Sequence, residues 1–368
     1  MGKSLKVAVL GAGHGGYAMA ADLALGGHTV NLFNRSPEPI QAIRKAGGIT
    51  LTGEAVYKEG FAKLNVVTNN MKEAMEKDVE VVMVTVPAYG HQYMIENSAP
   101  YMQNGQIVVF NTGNWGALRF QNNIKKLHKD VTLVETTILI YSSRINGPAS
   151  VFIDGLKREL PICAFPGKKT PESLKVLKNL YPAFTEAKNL IQTNFDNVNP
   201  VFHPGITLLN AGLSERTKGD YVFYKDGVTP SVARVLETVD NEKLAIAKAL
   251  GVNLLPAKEW VQKYYGAKGA DLYETIQHCK PYLDPGERGP KNLQTTRYIL
   301  EDVPYGLVPM ASLGDLVNRP APVIKSIICL HSAINQTDYW TEGNNAERLG
   351  LSGLDAKGIL GYLNEGTR

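Results

Sequence analysis

The segment Val7-Ala8-Val9-Leu10-Gly11-Ala12-Gly13-His14-Gly15-Gly16 places a G-x-G-x-x-G pattern directly after an apolar run. A strand leading in and a helix leading out turn such a loop into a pyrophosphate cradle. Gly11 permits the tight turn, Gly13 lets the backbone approach the phosphates, and Gly16 lets the helix pack closely on the strand. Amides at the helix start add donors and positive potential. His14, inside the loop, borders the same pyrophosphate. A glycine loop alone is a common turn, but here the strand, the helix and the position near the start of the chain all fit a dinucleotide cofactor.

The end of the second strand bears on which dinucleotide. An Asp or Glu about 20 residues beyond the loop would bond the ribose hydroxyls of NAD. Here Val30-Asn31-Leu32-Phe33 runs into Asn34-Arg35-Ser36, with no carboxylate to repel a 2′-phosphate. Arg35 offers that phosphate a charge-assisted bond; the alternative is a solvated loop arginine. NADP(H) is favoured, with NAD(H) as the alternative.

Two stretches of the second half are unusual for generic helix: Asn197-Val198-Asn199-Pro200-Val201-Phe202-His203-Pro204, and Arg297-Tyr298-Ile299-Leu300-Glu301-Asp302-Val303-Pro304-Tyr305-Gly306. Read alone, His203 is a lone histidine among prolines, more often structural than catalytic. Arg297 reads alone as a surface residue, and Asp302 as an N-cap before a helix over 306–317.

The elements that must carry these residues divide the chain in two. Strands over 5–10, 29–33, 80–86, 106–110 and 132–135 alternate with helices, the rhythm of a doubly wound parallel sheet. Residues 49–67 interrupt it as a small β excursion. Further strands are expected at 150–153 and 159–164, then a helix over 171–181. Beyond about residue 190 the patterns are helical: 230–250, 258–265, 306–317, 322–336 and 354–364. The expected architecture is α/β, with a Rossmann domain over 1–192 followed by an all-α domain over 193–368.

Composition excludes several classes. The 368 residues fit two domains, and 44% hydrophobic with 20% charged residues is ordinary for a globular protein with a sizeable core. The net charge of +4 is mild and the cations are scattered, so no nucleic-acid partner is expected. No apolar run reaches the roughly 18 residues of a membrane span. Three widely spaced cysteines, Cys163, Cys279 and Cys329, suggest neither a disulfide framework nor a metal site, and a reducing cytoplasm is the simple reading. Exposed helical faces in the second half suggest a homodimer.

With these stretches in view, the chain resembles the octopine/nopaline (opine) dehydrogenase family, in particular its bacterial N-(1-carboxyethyl)amino-acid dehydrogenases acting on neutral amino acids. The likeness runs through Gly11–Ala24, Val86-Pro87-Ala88, Asn111–Leu118, Glu135–Arg144, Asn197–Asn210, Gly227–Val232, Arg297–Val308 and Leu349–Leu354. The His-Pro segment together with the Arg…Glu-Asp-Val-Pro segment is far more specific than the glycine loop. Members join the amino group of an amino acid to a 2-oxo acid and reduce the imine with NAD(P)H, so both substrates are implied partners.

The resemblance implies His203 as catalytic proton donor and acceptor, in keeping with the titration range of histidine. It implies Asp302 as the group that orients the imidazole and Arg297 as a planar fork for the oxo-acid carboxylate. Arg144 and Thr136, in the matching 135–144 segment, are further substrate-binding candidates, and Pro87 joins the cofactor contacts. NADH-using relatives end the second strand in an acidic residue, so the cofactor preference does not carry over to Asn34-Arg35. His91, Asn114, Trp115 and Glu135 lie near the cofactor side as weaker candidates, and the tyrosine-rich 221–224 and 264–265 segments read as packing. The rival readings are a 2-oxo acid or ketopantoate-type reductase, and an NADP-binding protein without turnover.

Overall fold

A computed structural model describes residues 3–76, 78–283 and 286–367. The chain forms two compact units, Met1–Thr193 joined by Tyr362–Arg368, and Asn194–Gly361.

In the first unit, strands β1 (Lys6–Leu10), β2 (Thr29–Phe33), β3 (Ile49–Gly53), β4 (Gly60–Ala62), β5 (Val66–Thr68), β6 (Val81–Val84), β7 (Ile107–Phe110), β8 (Thr132–Thr136), β9 (Tyr141–Gly147), β10 (Ser150–Leu156), β11 (Leu160–Phe165) and β12 (Phe184–Glu186) form two sheets. The larger runs β12-β11-β8-β7-β6-β1-β2-β5 and is parallel apart from β11 against β8. The central strands β6 and β7, VVMV and IVVF, are buried throughout. Continuous apolar strands of this kind belong to a parallel sheet covered on both faces. The order reverses across β1, which pairs with β2 on one side and β6 on the other. That switch point is where open α/β sheets bind ligands.

The expected excursion over 49–67 separates into two destinations. β3 and β4 join β9 and β10 in a second sheet, ordered β4-β3-β10-β9, while β5 returns to the main sheet beside β2. β9, with its polar sequence YSSRING, shows no apolar alternation and had not been anticipated; its pairing with β10 defines it. Three-residue β12 was missed for want of length. The helix expected over 171–181 is Thr170–Leu177.

The second unit is helical, with only an isolated bridge, Val222 to Arg288, among the described residues. Its centre is the helix Asn199–Leu209, packed against Pro230–Ala249, Arg297–Leu300 and Pro322–Asn335. Pro230–Ala249 starts where the Thr229 side chain accepts from Val232 N, with Pro230 in the first turn. It buries Val232, Leu236, Val239, Lys243 and Ile246 at helical spacing. Lys243 is buried with its ammonium 2.7 Å from Asp240, whose other oxygen accepts from Ala257 N.

The sequence places the last helix, Ala356–Glu365, wholly in the helical domain over 193–368; its final turn instead belongs to the first unit. The Tyr362 ring meets Phe165 edge-on at 5.4 Å, and Glu365 pairs with Lys168 at 2.9 Å. A segment that remote in sequence is assigned by its contacts and not by chain order.

Candidate active site

The glycine loop comes first, because its backbone is dictated by its neighbours. Gly11 has φ of +119°, and a Cβ there would fall 2.6 Å from Val86 Cγ1. At Gly16 a Cβ would lie 1.8 Å from the Gly11 carbonyl oxygen. Both glycines are demanded by the fold itself. Gly13 differs: nothing stands within 4 Å of where its Cβ would be. It is the N-cap of the helix His14–Leu25, so no capping side chain competes for the first-turn amides. Open space over uncapped amides at the sheet's switch point fits a dinucleotide pyrophosphate.

The surroundings brace this loop. Thr85 Oγ1 donates to the Leu10 and Gly11 carbonyls, and Asn34 Oδ1 accepts from Ala12 N at 2.9 Å. Asn34 Nδ2 donates to Ser36 O, so this side chain shapes the turn after β2. Arg35, beside it, is exposed, with its guanidinium 5.2 Å from the Tyr93 ring centroid. Pro87 is the N-cap of the helix Ala88–Ser98. His14 Nδ1 accepts from Ile145 N at 2.9 Å, which ties the loop to β9.

Several first-unit candidates hold structural posts. Thr136, expected at the substrate, is fully buried, and its hydroxyl is directed at the Phe110 and Ile138 carbonyls, so no surface of it is left for a ligand. Glu135 accepts from Ala117 N at the start of the helix Gly116–Lys125. Arg144 is exposed on β9, with a bond to Ser143 O. His91 is buried against Phe110, ring centroids 4.9 Å apart, and burial, with the Arg119 charge nearby, pulls it down to about 3. Asn114 and Trp115 are buried with positive φ.

In the second unit the separated motifs meet. His203 lies on Asn199–Leu209 between Phe202 and Pro204. Pro204 cannot donate within the helix, and its carbonyl accepts from His331 Nε2 at 2.9 Å, which steadies the turn carrying His203. Asp302 occupies the N-cap position before a π-helical turn, Val303–Leu307, whose closing bond runs from Leu307 N to Asp302 O. Its carboxylate makes no cap bond; Oδ2 lies 2.7 Å from His203 Nδ1, with both residues buried. Gly306 makes the approach possible, since a Cβ there would fall 2.5 Å from Pro200 Cγ. The helix-cap alternative for Asp302 thereby gives way to the His–Asp pair that the resemblance implies.

The remaining imidazole nitrogen is also engaged. His203 Nε2 is 2.9 Å from the Tyr224 hydroxyl, and the Tyr298 ring lies over the imidazole at 4.3 Å and 33°. The sequence singles out neither tyrosine. The 221–224 segment reads as packing, and no spacing rule connects Tyr224 to His203.

Arg297 opens the short helix Arg297–Leu300 after the Thr296 cap. The residue keeps an exposed surface while its guanidinium is crowded. Burial works against its charge, but Glu301, Asp302 and Glu287 outweigh that and raise its pKa above the ordinary arginine value. A guanidinium one helical turn from the His–Asp pair is suited to holding a carboxylate.

Comparison with known proteins decides the family. The chain is 37% identical to an opine dehydrogenase of Arthrobacter sp. (strain 1C) over 359 residues, 97% of this chain and 98% of that one. The chain belongs to the opine dehydrogenase family. Residues 186–335 match the model of the NAD/NADP octopine/nopaline dehydrogenase alpha-helical domain, which contains His203, Arg297 and Asp302. Among solved structures, an octopine dehydrogenase with NADH and L-arginine superposes with a TM-score of 0.79 at 21% identity, covering 99% of each chain. A yersinopine dehydrogenase with NADP+ bound does so at 0.71 and 15% identity, covering 98% of each. The ketopantoate reductase model matches residues 7–138, and the ketopantoate reductases are only distant relatives of this chain. As a family member the chain is an NAD(P)-dependent oxidoreductase acting on CH–NH bonds. No helix among the described residues is long and apolar enough to cross a membrane.

Proposed function

We propose that the enzyme condenses an L-amino acid with a 2-oxo acid and reduces the resulting imine to an N-(1-carboxyalkyl)amino acid, with the reverse oxidation also available. The observation that carries this reading is the buried 2.7 Å contact between His203 Nδ1 and Asp302 Oδ2. A carboxylate only accepts, so Nδ1 carries the proton and Nε2 is the basic nitrogen. Protonated at Nε2, His203 is the acid that helps expel water from the carbinolamine; neutral, it is the base of the reverse reaction. Asp302 holds the ring in that tautomer and stabilises its cationic form. Arg297 would pair its fork with the carboxylate of the 2-oxo acid, and Arg144 is proposed as the second cation for a product with two carboxylates.

Bound at the glycine loop, the nicotinamide cofactor supplies or accepts the hydride. Gly11, Gly13, His14 and Gly16 would hold its pyrophosphate, with Asn34 and Pro87 shaping the walls. NADP(H) is the proposed preference, because Arg35 stands exposed where NAD-specific sites carry a carboxylate. Three free cysteines, two of them buried, support a cytoplasmic location.

The test follows NADPH absorbance with pyruvate alone, then with a mixture of neutral and basic amino acids, for the wild type and His203→Ala. Consumption that needs both partners and disappears in His203→Ala is expected. Consumption with pyruvate alone would make the enzyme a simple oxo-acid reductase.

A further inference from the structure

The tyrosine at the reacting nitrogen of His203 is set too firmly to be incidental. Tyr224 stacks face to face on Tyr282, ring centroids 4.0 Å apart and 10° from parallel, and meets Phe223 edge-on at 5.1 Å. Its ring is buried, and the residue lies in the first turn of the short helix Phe223–Gly227, which packs on the His203 helix. Burial, reinforced by the neighbouring Tyr282 and Tyr298, pushes its phenol well above the ordinary tyrosine range, so it stays an O–H. Since Nδ1 gives its proton to Asp302, Nε2 accepts, and Tyr224 is the donor across 2.9 Å. The one nitrogen free to exchange a proton with substrate is therefore covered by a hydroxyl on a clamped ring.

Resting on the reading of His203 as proton donor, we propose that His203 exchanges its proton with substrate through the Tyr224 hydroxyl. When Nε2 becomes protonated, rotation of the hydroxyl alone reverses the bond: Nε2–H donates to the phenol oxygen, and the phenol proton turns outward. No heavy atom moves. In the condensing direction the Nε2–H bond breaks as a new Tyr224 O–H bond forms. The original Tyr224 O–H bond breaks as its proton joins the carbinolamine oxygen. The C–O bond breaks with its electron pair on oxygen, water leaves, and the nitrogen lone pair completes C=N. The balance is one proton from imidazolium to water, with tyrosine regenerated. Simultaneous transfer avoids the phenolate that burial opposes.

The experiment compares wild type, Tyr224→Phe and His203→Ala. It measures kcat, KM, the affinity for NADPH, and the dependence of kcat on solvent deuterium content. Tyr224→Phe should lower kcat by about a hundredfold or more, within the range of a lost acid–base group, with NADPH affinity unchanged. The deuterium dependence should fall from a two-proton curve to a one-proton line. Nitrogen NMR of the ligand-free protein should show the Nε2 resonance of His203 shift in Tyr224→Phe while Nδ1 keeps its proton. If Tyr224→Phe folds poorly, a ring-fluorinated tyrosine at position 224 keeps the shape, and kcat should then change with phenol acidity. Unchanged kcat with a lower KM would mean that substrate merely displaces the phenol, and the relay falls. Loss of activity in His203→Ala with full activity in Tyr224→Phe overturns the relay alone; full activity in both overturns the role of His203 itself.

Discussion

Asp302 Oδ2 lies 2.7 Å from His203 Nδ1 across 99 residues of sequence, with both side chains buried. A charge placed in that setting without a partner is costly, so the two side chains depend on one another. Replacing Asp302 by Asn removes the acceptor that keeps the proton on Nδ1. The expected result is a fall in kcat on the order of 10⁴-fold, by analogy with other His–Asp pairs, with NADPH affinity unchanged. A kcat within a few-fold of wild type in folded Asp302→Asn would show that the tautomer is set elsewhere.

The glycines of the loop separate binding from folding. A Cβ at Gly16 would collide with the Gly11 carbonyl, whereas one at Gly13 meets open space. Gly16→Ala should therefore lower the Tm and the yield of folded protein. Gly13→Ala should keep the wild-type Tm yet lose most of its affinity for NADPH, because the methyl group occupies the pyrophosphate's space. Thermal unfolding and cofactor fluorescence on the same samples check both; tight cofactor binding by Gly13→Ala contradicts the placement of the pyrophosphate.

Arg35 is the proposed discriminator between the two cofactors. A charged hydrogen bond is worth about 1.5–3 kcal/mol, so Arg35→Ala should reduce the NADPH over NADH ratio of kcat/KM by about ten- to a hundredfold. The change should sit in KM for NADPH. An unaltered ratio would make Arg35 a solvated loop residue.

His91 gives the first unit a predictable acid limb. Burial, aided by the Arg119 charge and opposed by the Val86 carbonyl, lowers it from 6.5 to about 3. Below about pH 6.5 the unfolded chain takes a proton at this residue that the folded chain refuses. Its contribution to stability is complete above that pH and is lost progressively as the pH falls toward about 3. At pH 5 the loss is roughly 2 kcal/mol from this group. His91 Nε2 has no partner, so His91→Leu gives up the bond to the Val86 backbone and leaves no group there to take a proton. In urea unfolding at pH 7.5 and pH 5, the variant should lose less stability than wild type between the two. An equal loss would place the acid sensitivity in other groups.

Much of this is legible in the sequence. The apolar runs of β1, β6 and β7 and the glycine spacing define the dinucleotide-binding half because their periodicity is local. The long helices of the second half follow from the same local signal. Residues without such a signal are not placed by the sequence: polar β9 exists because β10 pairs with it, and Thr136, a candidate through its matching segment, has its hydroxyl directed at two carbonyls. Tyr362 and Glu365 were assigned by chain order to a unit they do not join.

The sequence by itself determined the residue types the chemistry needs, and whole-chain resemblance pointed to His203, Arg297 and Asp302. Tertiary structure decided how they are used. Asp302 sits at the helix-capping position that its sequence context suggests, but the π-helical turn and the close seat of Gly306 on Pro200 turn its carboxylate toward His203. Tyr224 reached the other nitrogen with no motif to announce it. The physical reason is one of range. Backbone propensity and hydrophobic period act over a few residues, whereas a buried hydrogen bond is made by whichever polar groups packing brings within about 3 Å, however far apart they lie in the chain.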